Sequence, residues 1–154
     1  MKEEYVNAFL TPFVHVWEKE LAVKLTLSGA EQAASQYTTT ELTALIGLSG
    51  QLEGNVVYGF SQDCAKTIAG RMIGQEVVEM DELSLSAIGE LANMITGNAA
   101  TLLANMGAVC EITPPRDHRA QRFQVHYLWR PADPCEVHQR TWAASHPDQH
   151  DGKP

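Results

Sequence analysis

An α+β fold, an antiparallel β-sheet with flanking helices, is predicted for this 154-residue chain by three features. Apolar residues recur at helical spacing over 3–20 and 81–105, two apolar runs flank a turn-rich segment between 42 and 60, and residues 21–29 alternate like a strand. The length suits one domain with a substantial core and is short for two. Hydrophobic residues make up 44% and charged residues 19%, a globular balance, and no apolar run approaches the ~20 residues of a membrane span.

The elements follow in order. In EEYVNAFLTPFVHVWEKE, apolar Tyr5, Val6, Phe9, Leu10, Phe13, Val16 and Trp17 fall at three- and four-residue steps, which predicts a core-facing helix with Pro12 as a candidate kink. His15 falls on or near its apolar side and reads as a packed histidine. Leu21–Gly29 reads as a strand and residues 30–41 as a polar connection. Leu42–Leu48 and Asn55–Phe60 form a hairpin around SGQLEG. A short helix follows, capped by Ser61 and ending near Gly74. The longest helix is expected from about Asp81 to Asn105, stopping at Gly107, and AVCEITPP reads as a strand closed by Pro114 and Pro115.

Composition narrows the partners. A formal charge of −8 and a pI near 5.1 argue against sequence-independent nucleic-acid binding, which needs a basic surface. Three scattered cysteines, Cys64, Cys110 and Cys135, suggest neither a disulfide framework nor a zinc site and read as isolated thiols. The acidic opening MKEEYVNAFL has no signal-peptide pattern, so a cytoplasmic location is expected. The irregularly spaced histidines His118, His126, His138, His146 and His150 fit no common metal site. No phosphate-binding glycine loop or nucleophile elbow is present.

The long helix carries the most informative pattern. Ile88, Leu91, Ala92, Ile95, Ala99, Leu102 and Leu103 fall in one arc at 100° per residue and form the predicted core face. Ser86, Glu90, Asn93 and Gly97 line the opposite side, continued by Ala100 and Ala104. Asn and Gly inside a helix cost several tenths to about 1 kcal/mol each relative to Ala, so a requirement other than helix stability is suggested. One reading is a solvated face without function. The other is a low surface on which a partner protein docks, with Glu90 suited to a partner's cation and Asn93, both donor and acceptor, suited to holding a water in line for attack.

The signature Ser86-x-x-x-Glu90-x-x-Asn93 within LSAIGELANMITGNA, followed some twenty residues later by ITPP, resembles the phosphatases of the CheC, CheX and FliY family of bacterial chemotaxis. EYVNAF, IGLSGQLEGNVVYGFS and AKTIAGRMIGQEV resemble the CheX members, so the likeness covers roughly residues 3–115, and a single copy of the signature also favours CheX. The resemblance implies a CheC/CheX-like fold and hydrolysis of the aspartyl-phosphate of a CheY-like receiver. By the same resemblance Asn93 orients the attacking water and Glu90 contacts the receiver's lysine, with Ser86 and Gly97 on the partner-binding surface. It implies a homodimer with no cofactor or metal of its own, Mg²⁺ residing in the receiver, and no nucleic-acid or membrane partner.

Residues 1–115 are thus read as the phosphatase domain and 116–154 as an atypical tail that does not resemble the strands with which the family completes its sheet. RFQVHYLW is its one plausible strand. A reading-frame shift near residue 116 is one way to produce such a tail, because permitted codons can be read one nucleotide on as a strand–turn–strand sequence. The sheet would then lack strands or have altered ones. Besides the phosphatase, a receiver-docking module without hydrolysis and a truncated inactive product stay open. Sequencing the source gene checks the frame: an uninterrupted frame shared by related strains excludes the shift.

Overall fold

The computed structural model describes the backbone of residues 3–22, 27–32, 36–38, 41–114, 116–118, 122–124, 127–131 and 138–142, with side chains at 4–22 and 41–114. The hairpin is its organising element. β3 (Leu42–Gly50) pairs antiparallel with β4 (Gly54–Phe60), from Leu42 opposite Phe60 to Leu48 opposite Gly54. Alternation sends Leu42, Ala44, Ile46 and Leu48 of one strand and Val56, Tyr58 and Phe60 of the other to the same buried face.

That face carries the helices. α1 (Glu3–Leu21) runs unbroken through the buried Pro12 and contributes Tyr5, Phe9, Phe13, Val16 and Trp17 to the core. The Phe13 ring stacks 5.5 Å from Trp17 and 6.5 Å from Tyr58, joining the helix to the sheet through aromatic contact. α2 (Gln62–Ile73) starts where Ser61 Oγ accepts from the Cys64 amide at 3.2 Å. It ends at Gly74, whose φ of 84° is readily adopted only by glycine. Arg71 near that end reaches across to the Leu21 carbonyl at the end of α1. α3 (Glu82–Asn105) packs against α1, α2 and β3.

Every pairing among the described strands is antiparallel, in agreement with the α+β expectation. β5 (Cys110–Ile112) flanks β3 on the side away from β4, and β6 (Arg116–His118) pairs further along β3. Beyond β4 lie β9 (His138–Trp142), β8 (Tyr127–Pro131) and β1 (Leu27–Gln32), giving a sheet of seven strands among the described residues. A separate pair joins β2 (Gln36–Thr38) to β7 (Arg122–Gln124).

Three segments differ from the sequence reading. Leu21 is the buried last residue of α1, and the strand expected from there occupies 27–32. The connection expected at 30–41 contains the end of β1 and all of β2. The tail, given one strand, contributes β6, β7, β8 and β9. The common reason is that main-chain hydrogen bonds to a neighbour define these short strands, whereas alternation reports only a half-buried face.

A hydrogen bond locks α3 to the sheet. Thr96 Oγ1 donates to the Ala92 carbonyl at 2.8 Å and lies 2.7 Å from the Tyr58 hydroxyl, and both residues are fully buried. Since the threonine's single hydroxyl proton goes to Ala92, the tyrosine donates. Tyr58→Phe is expected to destabilise the fold by about 1 kcal/mol and Thr96→Val by about 1–3 kcal/mol. Because the two share one bond, the double variant should lose less than the sum of the singles, measured by urea unfolding.

Candidate functional site

The candidate site is the outward stripe of α3, and its construction starts at the helix N-terminus. Asp81 in extended conformation caps α3, its Oδ1 accepting from the Ser84 amide at 2.9 Å and the Ser84 hydroxyl at 2.6 Å. These bonds, the side-chain one foremost, hold the Asp81 carboxyl below its ordinary pKa. From that start, Ala87, Ile88, Leu91, Ala92, Ile95, Ala99 and Leu103 turn into the core. Leu102, expected among them, is half-buried, because it turns toward the groove beside α1.

On the other side Ser86 and Glu90 are exposed and Asn93, Gly97 and Ala100 half-buried. Glu90 and Asn93 stand one turn apart, so a carboxylate and a carboxamide project from one rigid backbone. Nothing between them is a nucleophile. The stripe also extends further than its polar part, since Leu83 continues the three-and-four stepping one turn before Ser86 and is 57% exposed. Sequence reasoning missed Leu83, although its spacing could have revealed it.

Gly97 is unforced by the chain's own packing. A Cβ there would find the Ile112 Cδ1 at 3.8 Å as its nearest neighbour among the described residues, which is ordinary contact. The contrast is Gly47 on β3, where a Cβ would come within 2.9 Å of Thr113 Oγ1. The Gly47 amide donates to that oxygen at 2.9 Å and its carbonyl accepts from the Thr113 amide at 3.0 Å. Those bonds fasten the ITPP segment to β3 and seat Ile112 beside Gly97, so the two separated parts of the sequence signature meet.

The other flank is a groove of about 390 Å³ between α1 and α3, where Thr11, His15 and Lys19 face Met94, Asn98 and Thr101. His15 is exposed on its rim, correcting the expectation of a packed histidine: the helix is covered along Phe9, Phe13 and Trp17, and His15 lies outside that arc. Cys64 is buried and Cys110 half-buried, while Cys135 and the tail histidine side chains lie outside the described residues. Among the described residues no three His, Cys, Asp or Glu side chains gather as a metal site, and no helix is long and apolar enough to cross a membrane.

Comparison with known proteins gives a consistent result. The model of the family described as chemotaxis phosphatase CheX matches residues 42–128. The chain is 42% identical over 90 residues to the CheY-P phosphatase CheX of Thermotoga maritima, covering 54% of this chain and 58% of that one. It therefore spans little more than half the length of that relative. A CheC-like superfamily protein from Shewanella sp. PV-4 superposes with a TM-score of 0.80 at 20% identity, covering 91% of this chain and 96% of the other. The CheX–CheY–BeF3–Mg²⁺ complex of Borrelia burgdorferi gives 0.74 at 19% identity, with 88% and 95% covered.

Two outcomes are expected. Gly97→Ala should stabilise the isolated protein by roughly 0.5–1 kcal/mol, read from its urea midpoint. Asp81 has a folded pKa below its unfolded one, so its contribution is present above the unfolded value and is lost as pH falls through the folded value. In acid titrations of stability, Asp81→Asn should therefore flatten the decline below about pH 4 relative to wild type.

Proposed function

The chain belongs to the CheX family, and on that premise we propose that it hydrolyses the aspartyl-phosphate of a CheY-like receiver domain. The observation that carries this reading is the pairing of Glu90 and Asn93 on the uncovered stripe of a helix otherwise clamped in the core. Asn93 orients a water for in-line attack on phosphorus. The water oxygen–phosphorus bond forms as the bond to the aspartyl oxygen breaks, the carboxylate leaves, and the water's proton departs with inorganic phosphate. Glu90 pairs with the receiver's lysine and sets the depth at which Asn93 enters.

The low profile around Gly97 supports the same reading. Asn is short, and its amide reaches a recessed phosphoryl group only if the helix backbone comes close. Ser86 lies one turn before Glu90 and belongs to the contacting surface. Mg²⁺ belongs to the receiver and this chain supplies no cofactor. The Thermotoga relative's name, CheY-P phosphatase, and the Borrelia complex with CheY support the partner class. The working unit is a cytoplasmic homodimer, which sedimentation tests.

The decisive measurement is phosphate release from a phosphorylated CheY-like receiver with and without this protein. Acceleration is expected. Asn93→Ala should lower turnover by about 100-fold or more, the scale seen when one transition-state hydrogen bond is removed, while largely sparing binding. Glu90→Ala should weaken binding as well as turnover. Binding without acceleration by the folded wild type would instead establish a docking module.

A further inference from the structure

Two large apolar side chains stand exposed where α3 begins: Leu83 at 57% and Val78, in the segment before the helix, at 74%. Both line one shallow concavity of about 360 Å³, which Glu76, Glu79 and Asp81 also line. Among the described residues neither side chain is packed into the core. A leucine so exposed in the first turn contributes little to a helix already capped by Asp81 and anchored by ten buried residues. Single exposed apolar residues are common, but these two share a surface and one of them continues the stripe of Glu90 and Asn93.

We infer that Leu83 and Val78 form the apolar anchor of the receiver-docking surface, and that they select a receiver presenting an apolar side chain flanked by lysine or arginine. The inference rests on the proposed function and assigns it a binding determinant outside the Glu90–Asn93 pair. Continuity supports the occupant. Leu83 precedes Asn93 by ten residues, about 15 Å along the axis, whereas a standard interface of ~800 Å² per partner is about 30 Å across. A receiver seated on Asn93 therefore reaches Leu83. Charge supports its character: residues 72–115 contain Glu76, Glu79, Asp81, Glu82, Glu90 and Glu111 and no Lys, Arg or His. Such a segment repels an acidic neighbour and attracts a basic one.

The test titrates the full chain with a CheY-like receiver loaded with beryllofluoride and Mg²⁺, and measures turnover at saturating phosphorylated receiver. Leu83→Ala should weaken binding roughly tenfold, as truncating an interface anchor does, with unchanged turnover at saturation. Val78→Ala should act in the same direction, and Leu83→Met should stay near wild type. Both side chains are exposed, so these variants leave the core intact. Wild-type binding that neither alanine variant weakens would overturn this inference and leave the proposed function standing. Leu83→Ala that lowers saturated turnover without changing binding would also overturn it. A wild type that neither binds nor accelerates phosphate loss would overturn the proposed function and this inference together.

Discussion

The burial of α3 along all but one stripe is the constraint on which the rest of the structure depends. The helix is covered by α1, α2 and the hairpin strand β3, and it is pinned in rotation by the buried contact between Tyr58 and Thr96. A turn of one residue about the axis, 100°, would bury Glu90 and expose Ile88 or Ile95, each at a cost of several kcal/mol. Rotation is therefore not a free variable. The same packing that stabilises the domain aims Glu90 and Asn93 outward.

That arrangement suits chemistry done by position. A carboxamide has no useful basicity at neutral pH, so in the proposed hydrolysis Asn93 would add orientation, and orientation is worth as much as the backbone holding it is stiff. Stiffness comes from both ends of the helix and from its middle. Asp81 closes the start, Gly107 with a φ of 88° turns the chain at the end, and β5 is tied to β3 through Thr113 and Gly47 beside Gly97. The bond network around Gly47 thus has an effect at a distance, since it seats Ile112 on the flank of the stripe.

The surface around the stripe is uneven. One flank is the groove against α1, with His15 and Lys19 on its rim, and the other is the strand β5. Toward the helix N-terminus the surface becomes acidic and apolar together, and toward the C-terminus it carries small side chains. A partner docked as proposed would meet different chemistry at the two ends of the same helix, which would set its direction as well as its position.

Local pattern was enough for the elements whose own side chains decide them. The 3.6-residue period of α1 and α3, the cap at Ser61, the stop at Gly74 and the alternation of the hairpin are properties of contiguous residues, and so was the division of α3 into a core arc and an outer stripe. The shared outward placement of Glu90 and Asn93 was legible for the same reason: they lie three residues apart on one helix. What only the tertiary structure decided is where the backbone finds partners. β1, β2 and the strands after residue 115 exist through hydrogen bonds to distant segments, which no local period encodes. The covered side of His15's helix, the seating of Ile112 against Gly97 and the shared concavity of Val78 and Leu83 likewise depend on how elements meet. A sequence specifies the face a residue occupies through its spacing, and the fold alone specifies what that face looks at.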